Sequence, residues 1–242
     1  MIGYYDFSVC REAFATGQSD ARPFELDGCY YRRRGRKHTH LTLLSFDDAG
    51  KAWDQLTDFR HSGAKVQSLN YTAPAGSVPT KPGPTEWVMR DFRAKLEETG
   101  SRGQDLRRAT RRAGLPVRPT REQAREVFDA WAAWAASRHF MVFRGHYLSW
   151  LDLHFSGAAN THLVMFERSG IFGWEVQDGI AQVTLAKHQP EFRAKSLWSA
   201  GLYAISSETT LCGSTADTLK SQLGCEARAS WKFDLTKITT ES

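Results

Sequence analysis

The stretch from Thr161 to Leu235 constrains the fold more than any other part of the chain. Three runs rich in β-branched and aromatic residues, Thr161 to Glu167, Ile171 to Gln177 and Ile180 to Lys187, follow one another closely. Arg168-Ser169-Gly170 joins the first two, and Asp178-Gly179 is a two-residue hairpin signal between the second and third. The pattern predicts a meander of three antiparallel strands. Pro190 suits the first turn of a helix running to about Ser206, with Leu197, Trp198, Gly201, Leu202 and Ile205 as its packing side and Gly201 allowing close approach to the sheet. Thr209 to Cys212 reads as a brief strand. Thr215 to Leu223 reads as a helix with Ser214-x-x-Asp217 at its start and Gly224 at its end. Arg228 to Leu235 alternates Ala229, Trp231, Phe233 and Leu235 with polar neighbours, as a strand with one buried face does.

Upstream, Cys29 to Arg33 and His38 to Leu44 predict a hairpin turning at Arg34-Gly35-Arg36, with five basic residues from Arg32 to Lys37 at its tip. Asp47 or Asp48 can cap a helix to about Phe59, and Ala64 to Tyr71 reads as a strand. Thr72 to Thr85 carries four prolines and two glycines and reads as a loop or linker. Trp87 to Glu98 has a helical pattern broken by Gly100 and Gly103. Thr120-x-x-Gln123 is a capping box opening a helix to about Ser137, with Ala124, Val127, Phe128, Trp131, Trp134 and Ala135 as an apolar stripe; a second helix spans Tyr147 to Phe155. These elements divide the chain into an N-terminal α/β portion (1–86), a basic helical segment (87–114) and a C-terminal domain (115–242).

Charge is concentrated in one place. Between Trp87 and Arg125 there are 11 Lys/Arg against 5 Asp/Glu, whereas the whole chain carries a formal +5. Within that segment Arg107, Arg108, Arg111 and Arg112 recur at helical spacing, and such a face suits either solvent or a phosphate-bearing partner, for which arginine's planar donor fork is well matched. A chain of 242 residues with 41% hydrophobic content can bury a proper core. It has no apolar run of membrane-spanning length, and Asp6 and Glu12 fall where a signal peptide would be basic and then apolar, so a soluble, cytoplasmic protein is expected. Cys10, Cys29, Cys212 and Cys225 lack metal-site spacing and are expected as buried free thiols. His139, His146 and His154 have no nearby carboxylate pair, and no metal site is expected.

From Leu115 the predicted order is strand, helix, helix, three strands, helix, strand, helix, strand. This resembles the GNAT acyltransferase superfamily, whose sheet splays between its fourth and fifth strands to admit an acyl thioester. The expected fold class is therefore α/β (α+β), with a mixed, mainly antiparallel sheet flanked by helices and an N-terminal portion that forms a degenerate second unit. In this likeness Ile180 to Lys187 is similar to the fourth strand and Thr209 to Cys212 to the fifth. Family members that bind coenzyme A carry Gln/Arg-x-x-Gly-x-Gly/Ala at the start of the intervening helix; here the place reads His188-Gln189-Pro190-Glu191-Phe192-Arg193. Proline removes an amide and Glu191 adds negative charge, so the pattern is closer to the FemAB-like aminoacyltransferases, which lack that loop. The resemblance implies a transferase moving an acyl or aminoacyl group to an amine or hydroxyl, with aminoacyl-tRNA rather than acyl-CoA as donor. Two alternatives share the arginine face: a GNAT-like enzyme modifying a base in DNA, as in phage hypermodification, and a non-catalytic nucleic-acid-binding module. In each, tRNA or DNA is the phosphate-rich partner.

Acyl transfer needs donors for the developing oxyanion and a group to take the nucleophile's proton. In the GNAT-like reading the donors are main-chain amides along Thr184 to Ala186. Glu175, Asp178 and His188 are candidate bases and Tyr203 a candidate acid. Trp174, Thr184, Lys187, Arg193, Lys195 and Ser214 are candidate substrate contacts, and Arg107, Arg108, Arg111 and Arg112 the candidate nucleic-acid contacts.

Overall fold

The computed structural model describes residues 6–17, 20–35, 39–69, 76, 78–215 and 217–239. They fall into two compact units, one of Met1–Thr85 with Ala229–Ser242 and the other of Glu86–Arg228.

In the first unit the elements are α1 (Ser8–Thr16), β1 (Arg22–Leu26), β2 (Cys29–Arg34), β3 (His40–Phe46), α2 (Ala49–His61), β4 (Lys65–Ser68) and β5 (Thr80–Pro82). The basic hairpin is present as β2 and β3, with residues 36–38 at its tip outside the described residues; of the proline-rich stretch residues 72–75 and 77 lie outside them too, and Thr80–Pro82 is a short strand rather than loop, made so by antiparallel pairing with residues 231–233. Asp48 caps α2 by accepting from the Lys51 amide at 2.9 Å. The sheet runs β1-β2-β3-β4, antiparallel except for the β3–β4 pair. Cys29, Tyr31, Leu43 and Leu56 form its core with the aromatic rings of Phe24, Phe46 and Phe59.

The second unit holds β6 (Glu86–Arg90), α3 (Phe92–Glu97), α4 (Ser101–Arg112), β7 (Pro116–Val117), α5 (Arg121–Ser137), α6 (Arg144–Phe155), β8 (Thr161–Phe166), β9 (Gly170–Gln177), β10 (Ile180–His188), α7 (Ala194–Ala204), β11 (Thr209–Leu211), α8 (Asp217–Leu223) and β12 (Glu226–Arg228). Its sheet runs β12-β6-β11-β10-β9-β8-β7. The meander β8–β10 and the capping box of Thr120 and Gln123 are as the sequence predicts. Asp178 and Gly179 both take positive φ (50° and 75°), as a primed hairpin turn requires.

Several sequence expectations fail. Trp87 to Glu98 is not one helix: Glu86–Arg90 is a strand and Phe92–Glu97 a short helix, divided at Asp91, whose φ is 42° and whose carboxylate caps the Ala94 amide. Val88 and Met89 carry a helical pattern equally well, but pairing with β11 and β12 on both sides decides the outcome. Arg228 to Leu235 is likewise not one strand. Its start belongs to β12, and after Ser230, whose hydroxyl donates to the Pro84 carbonyl at 2.6 Å, β13 (Trp231–Phe233) pairs with β5 in the first unit.

The two units share one plan. The order α1-β1-β2-β3-α2-β4 repeats as α6-β8-β9-β10-α7-β11. In both, the third strand pairs in parallel with the strand after the helix for only a few residues, up to Leu43 and Gln182. In both it then carries a β-bulge, with Leu44 and Thr184 as the extra residues. The first unit thus repeats, with fewer strands, the element order and pairing pattern of the second.

Helices cover both faces of the larger sheet. On one face α7 lies so close that a Cβ at Gly201 would stand only 2.3 Å from carbons of the Phe172 ring. On the other, the Trp150 ring of α6 rests on Gly173, where an added Cβ would meet ring carbons at 2.7 and 2.8 Å. Cys212 and Cys225 are buried free thiols with sulfurs 3.9 Å apart. Among the described residues no helix is long and apolar enough to cross a membrane.

Candidate functional site

Strand β10 has two halves with different neighbours. Ile180, Ala181 and Gln182 pair with β11, but after Gln182 the two strands part while β10 continues along β9 to His188. The bulge at Thr184 sits just past the parting. In this splayed half, main-chain N–H groups pointing away from β9 have no β11 residue to donate to. Thr184 is buried with its hydroxyl unpartnered among the described residues, and the amide of fully buried Gln182 is unpartnered at both its oxygen and its nitrogen. Unpaired buried polar groups are costly, and their gathering where a sheet opens fits a place built to hydrogen-bond a ligand.

The end of β10 carries the most perturbed amine of this unit. Lys187 is 8% exposed and lies between two rings, its Nζ 3.8 Å from the Trp131 centroid and 3.9 Å from that of Tyr147. Burial pushes its pKa down to about 7. The ring faces act in the opposite direction, each favouring the ammonium by about 1–2 kcal/mol. Burial, and then neighbouring Lys187, also hold the His188 imidazole below the usual histidine range; its ring packs edge-on against Trp134 at 4.9 Å. Two titratable groups whose burial favours the neutral form therefore stand side by side at the end of β10, Lys187 with its pKa at about 7 and His188 shifted downward.

Beyond His188 the chain turns back. Pro190 does not open α7, as its sequence position suggests; the Phe192 amide donates to the Gln189 carbonyl at 3.0 Å, so Pro190 sits in a turn that precedes the helix. The first-turn amides of α7 thus keep their hydrogens. Beside this end of α7 lies a pocket of about 430 Å³ lined by Arg112, Arg168, Glu191, Phe192, Arg193 and Ser196. Glu191 does bring negative charge, but three guanidiniums outnumber it. Arg112 from α4, Arg168 from the β8–β9 turn and Arg193 at the helix N-cap meet a helix N-terminus, and both the charges and the dipole favour an anion there.

No family model matches the chain, and no curated protein does. Solved structures do match. A conserved protein of unknown function from Bacteroides thetaiotaomicron is 11% identical, covering 94% of this chain and 90% of its own, with a TM-score of 0.63. A C-terminal domain described under lysylphosphatidylglycerol synthetase, from Agrobacterium fabrum, is 10% identical over 93% of this chain and 86% of its own, with a TM-score of 0.59. FemX is 10% identical over 93% and 91%, with a TM-score of 0.54. At these identities the likeness is one of fold, a mixed, mainly antiparallel sheet flanked by helices. The fold is GNAT-like.

The other candidates spread widely over the GNAT-like unit. Arg193 joins the pocket. Lys195, in the first turn of α7, is held at 2.5 Å by Asp105 of α4, and this hydrogen bond keeps the Asp105 carboxyl below the usual carboxylate range. Glu175 is 1% exposed and directly opposite Gln182, on the sheet face covered by α5 and α6. Trp174 points to the opposite face, into the core around α7, where it stacks on His162 at 5.1 Å. Asp178 occupies the hairpin turn before Ile180, which is itself about 13 Å along β10 from the bulge. Tyr203 is 49% exposed near the far end of α7, with the Arg93 guanidinium over its ring at 5.5 Å. Ser214 lies in the bend before α8, and residue 216, where a cap would sit, is outside the described residues.

The four arginines of α4 do not act as one face. The Arg107 guanidinium turns back to donate to the Leu96 carbonyl, and to that of Glu98 at 3.3 Å, closing the C-terminus of α3. Arg108 and Arg111 are exposed, and Arg112 lines the pocket. Sequence reasoning missed Arg168, Gln182, Trp131 and Tyr147 as site residues. A polar Gln182 within the largely apolar run Ile180 to Ala186, and a basic Lys187 directly after it, are the signal that was there to be read.

Proposed function

We propose that the GNAT-like unit transfers an acyl group, in the first instance an aminoacyl group, from a phosphate-bearing donor to an amine or hydroxyl. The observation that carries this reading is the three-arginine pocket at the N-terminus of α7, at the end of the splayed half of β10. A donor whose phosphate rests in that pocket has its acyl carbonyl within the reach of the bulge. The Agrobacterium relative has a lysyl group in its name, which favours an aminoacyl cargo, as does the absence of the glycine-rich loop of coenzyme A binders.

In this mechanism the acceptor's nitrogen or oxygen attacks the donor's carbonyl carbon. The unpaired amides of β10 hold the oxyanion that forms. The neutral amine of Lys187 takes the acceptor's proton, and the resulting ammonium, steadied by two ring faces, returns it to the leaving hydroxyl of the donor. His188 is the second carrier.

The full chain should be incubated with radiolabelled aminoacyl-tRNA, and separately with labelled acyl-CoA, using hydroxylamine as acceptor. Aminoacyl hydroxamate formed from the charged RNA is expected. Replacing Arg112, Arg168 and Arg193 together by glutamine should raise the donor KM roughly 10- to 100-fold, since charge-assisted bonds to phosphate are lost while the reacting groups stay. Transfer from acyl-CoA alone would point to another donor, and labelled DNA in place of hydroxylamine tests the base-modifying alternative in the same format.

A further inference from the structure

The connection between α5 and α6 places large apolar side chains in solvent. Phe140 is 59% exposed, Met141 78% and Phe143 52%, within a stretch of four residues. Soluble surfaces scatter such residues singly; a run of them at the tip of a helical hairpin marks an interaction site. Helix α5 ends in a turn in which the amides of His139 and Phe140 donate to the carbonyls of Ala136 and Ala135, with His139 at φ 58°. The tip is thus an ordered projection. Arg138 and Arg144 bracket it, the former with its guanidinium over the Trp134 ring and the latter paired at 2.7 Å with Asp129, the acidic partner in this cluster.

We propose that this tip docks the protein on an anionic phospholipid bilayer, with Phe140, Met141 and Phe143 entering the headgroup boundary and Arg138 and Arg144 meeting lipid phosphates. The three side chains offer on the order of 350 Å² of apolar surface, less than half of the about 800 Å² that each partner gives to a stable protein interface. A bilayer accepts small inserted tips of this kind, and basic residues beside apolar ones are what its interface favours. Stacking against nucleic-acid bases fits less well, because Met141, the most exposed of the three, has no aromatic face. The tip is also continuous with the site: the Trp134 ring touches Phe140 at 6.0 Å on one side and His188 at 4.9 Å on the other. Docking brings the end of β10 to the headgroup level, where an amine- or hydroxyl-bearing lipid is within reach. The docking does not rest on the transfer chemistry and is tested without it.

The full chain should be floated with vesicles of phosphatidylcholine alone and with 30% phosphatidylglycerol (~30%, enough to give a surface potential that attracts basic residues). Binding to the anionic vesicles at least 10-fold stronger than to neutral ones is expected. Phe140→Ser/Met141→Ser/Phe143→Ser should lose that binding at least 10-fold, while Phe140→Leu/Met141→Leu/Phe143→Leu keeps it. Both variants should keep the urea midpoint of the unaltered chain, because all three side chains are exposed. Absence of vesicle binding by the unaltered chain, equal binding by the serine variant, or loss of tRNA binding or self-association in its place would overturn the proposal.

Discussion

Replacing Gly201 by alanine is expected to destabilise the GNAT-like unit by about 3 kcal/mol, in the upper range for overpacking a rigid core. Alanine in a helix is ordinarily about 1 kcal/mol better than glycine, so the sign of the effect is itself informative. At Gly201 the added methyl has to occupy the space of the Phe172 ring, which is fully buried between α7 and the sheet. The ring cannot retreat, because Trp174 and Trp198 pack against it at centroid distances of 6.2 and 5.5 Å. Urea denaturation should show a lower midpoint with an unchanged slope. If Gly201→Ala were as stable as the unaltered chain, α7 would not lie on the sheet as described.

Lys187→Met is expected to move stability and activity in opposite directions. In the fold the amine titrates near 7, against about 10.4 in an unfolded chain. Between those values the unfolded chain binds more protons than the folded one, so stability rises with pH across about 7 to 10; below about 7 both states are protonated and the full cost of burying the charge is felt. Methionine has nearly the same length and no charge. The variant should therefore be more stable than the unaltered chain at pH 6.5, by about 1–3 kcal/mol once the two cation–π contacts are deducted. The gain should vanish by pH 10, and part of the alkaline rise in stability should vanish with it. Lys220, also buried and lowered to about 8, contributes a further rise of the same sign that the variant leaves in place. Hydroxamate formation should fall at least about 100-fold, the usual size of a general-base contribution. A residue whose removal stabilises the fold and abolishes turnover is retained for chemistry. Equal activity in Lys187→Met would remove it from the mechanism and leave His188 as the proton carrier.

The parts of this fold that the sequence states well are those that local physics decides. The meander β8–β10 follows from β-branched runs and the Asp178-Gly179 turn, α5 from a reciprocal cap and an apolar stripe, and the close seat of α7 from one glycine among large residues. Glu86–Arg90 is different, because its strand conformation depends on β11 and β12, which lie more than a hundred residues away in the chain. The N-terminal helix α1 and strand β1 likewise drew no signal strong enough to predict them. The same division holds at the site. Lys187, His188 and Arg193 were legible as a cluster because they are near neighbours in sequence. Arg112 and Arg168 converge on Arg193 only through the packing of α4 and the β8–β9 turn, and Trp131 and Tyr147 enclose Lys187 only when α5 and α6 lie on the sheet. Arg107 shows the reverse case, an apparent member of a charged face that instead closes a helix end.

The central claim is that a phosphate-bearing acyl donor lies across the N-terminus of α7 with its carbonyl at the bulge of β10. Backbone amide resonances followed during titration with an aminoacylated RNA minihelix, its ester replaced by an amide to prevent turnover, test this most directly. The account predicts that the largest shifts fall on Val183 to Lys187 and on Phe192 to Ser196, and that both sets are lost together when Arg112, Arg168 and Arg193 become glutamine. Shifts confined to the exposed face of α4 around Arg108 and Arg111, with β10 unmoved, would contradict it.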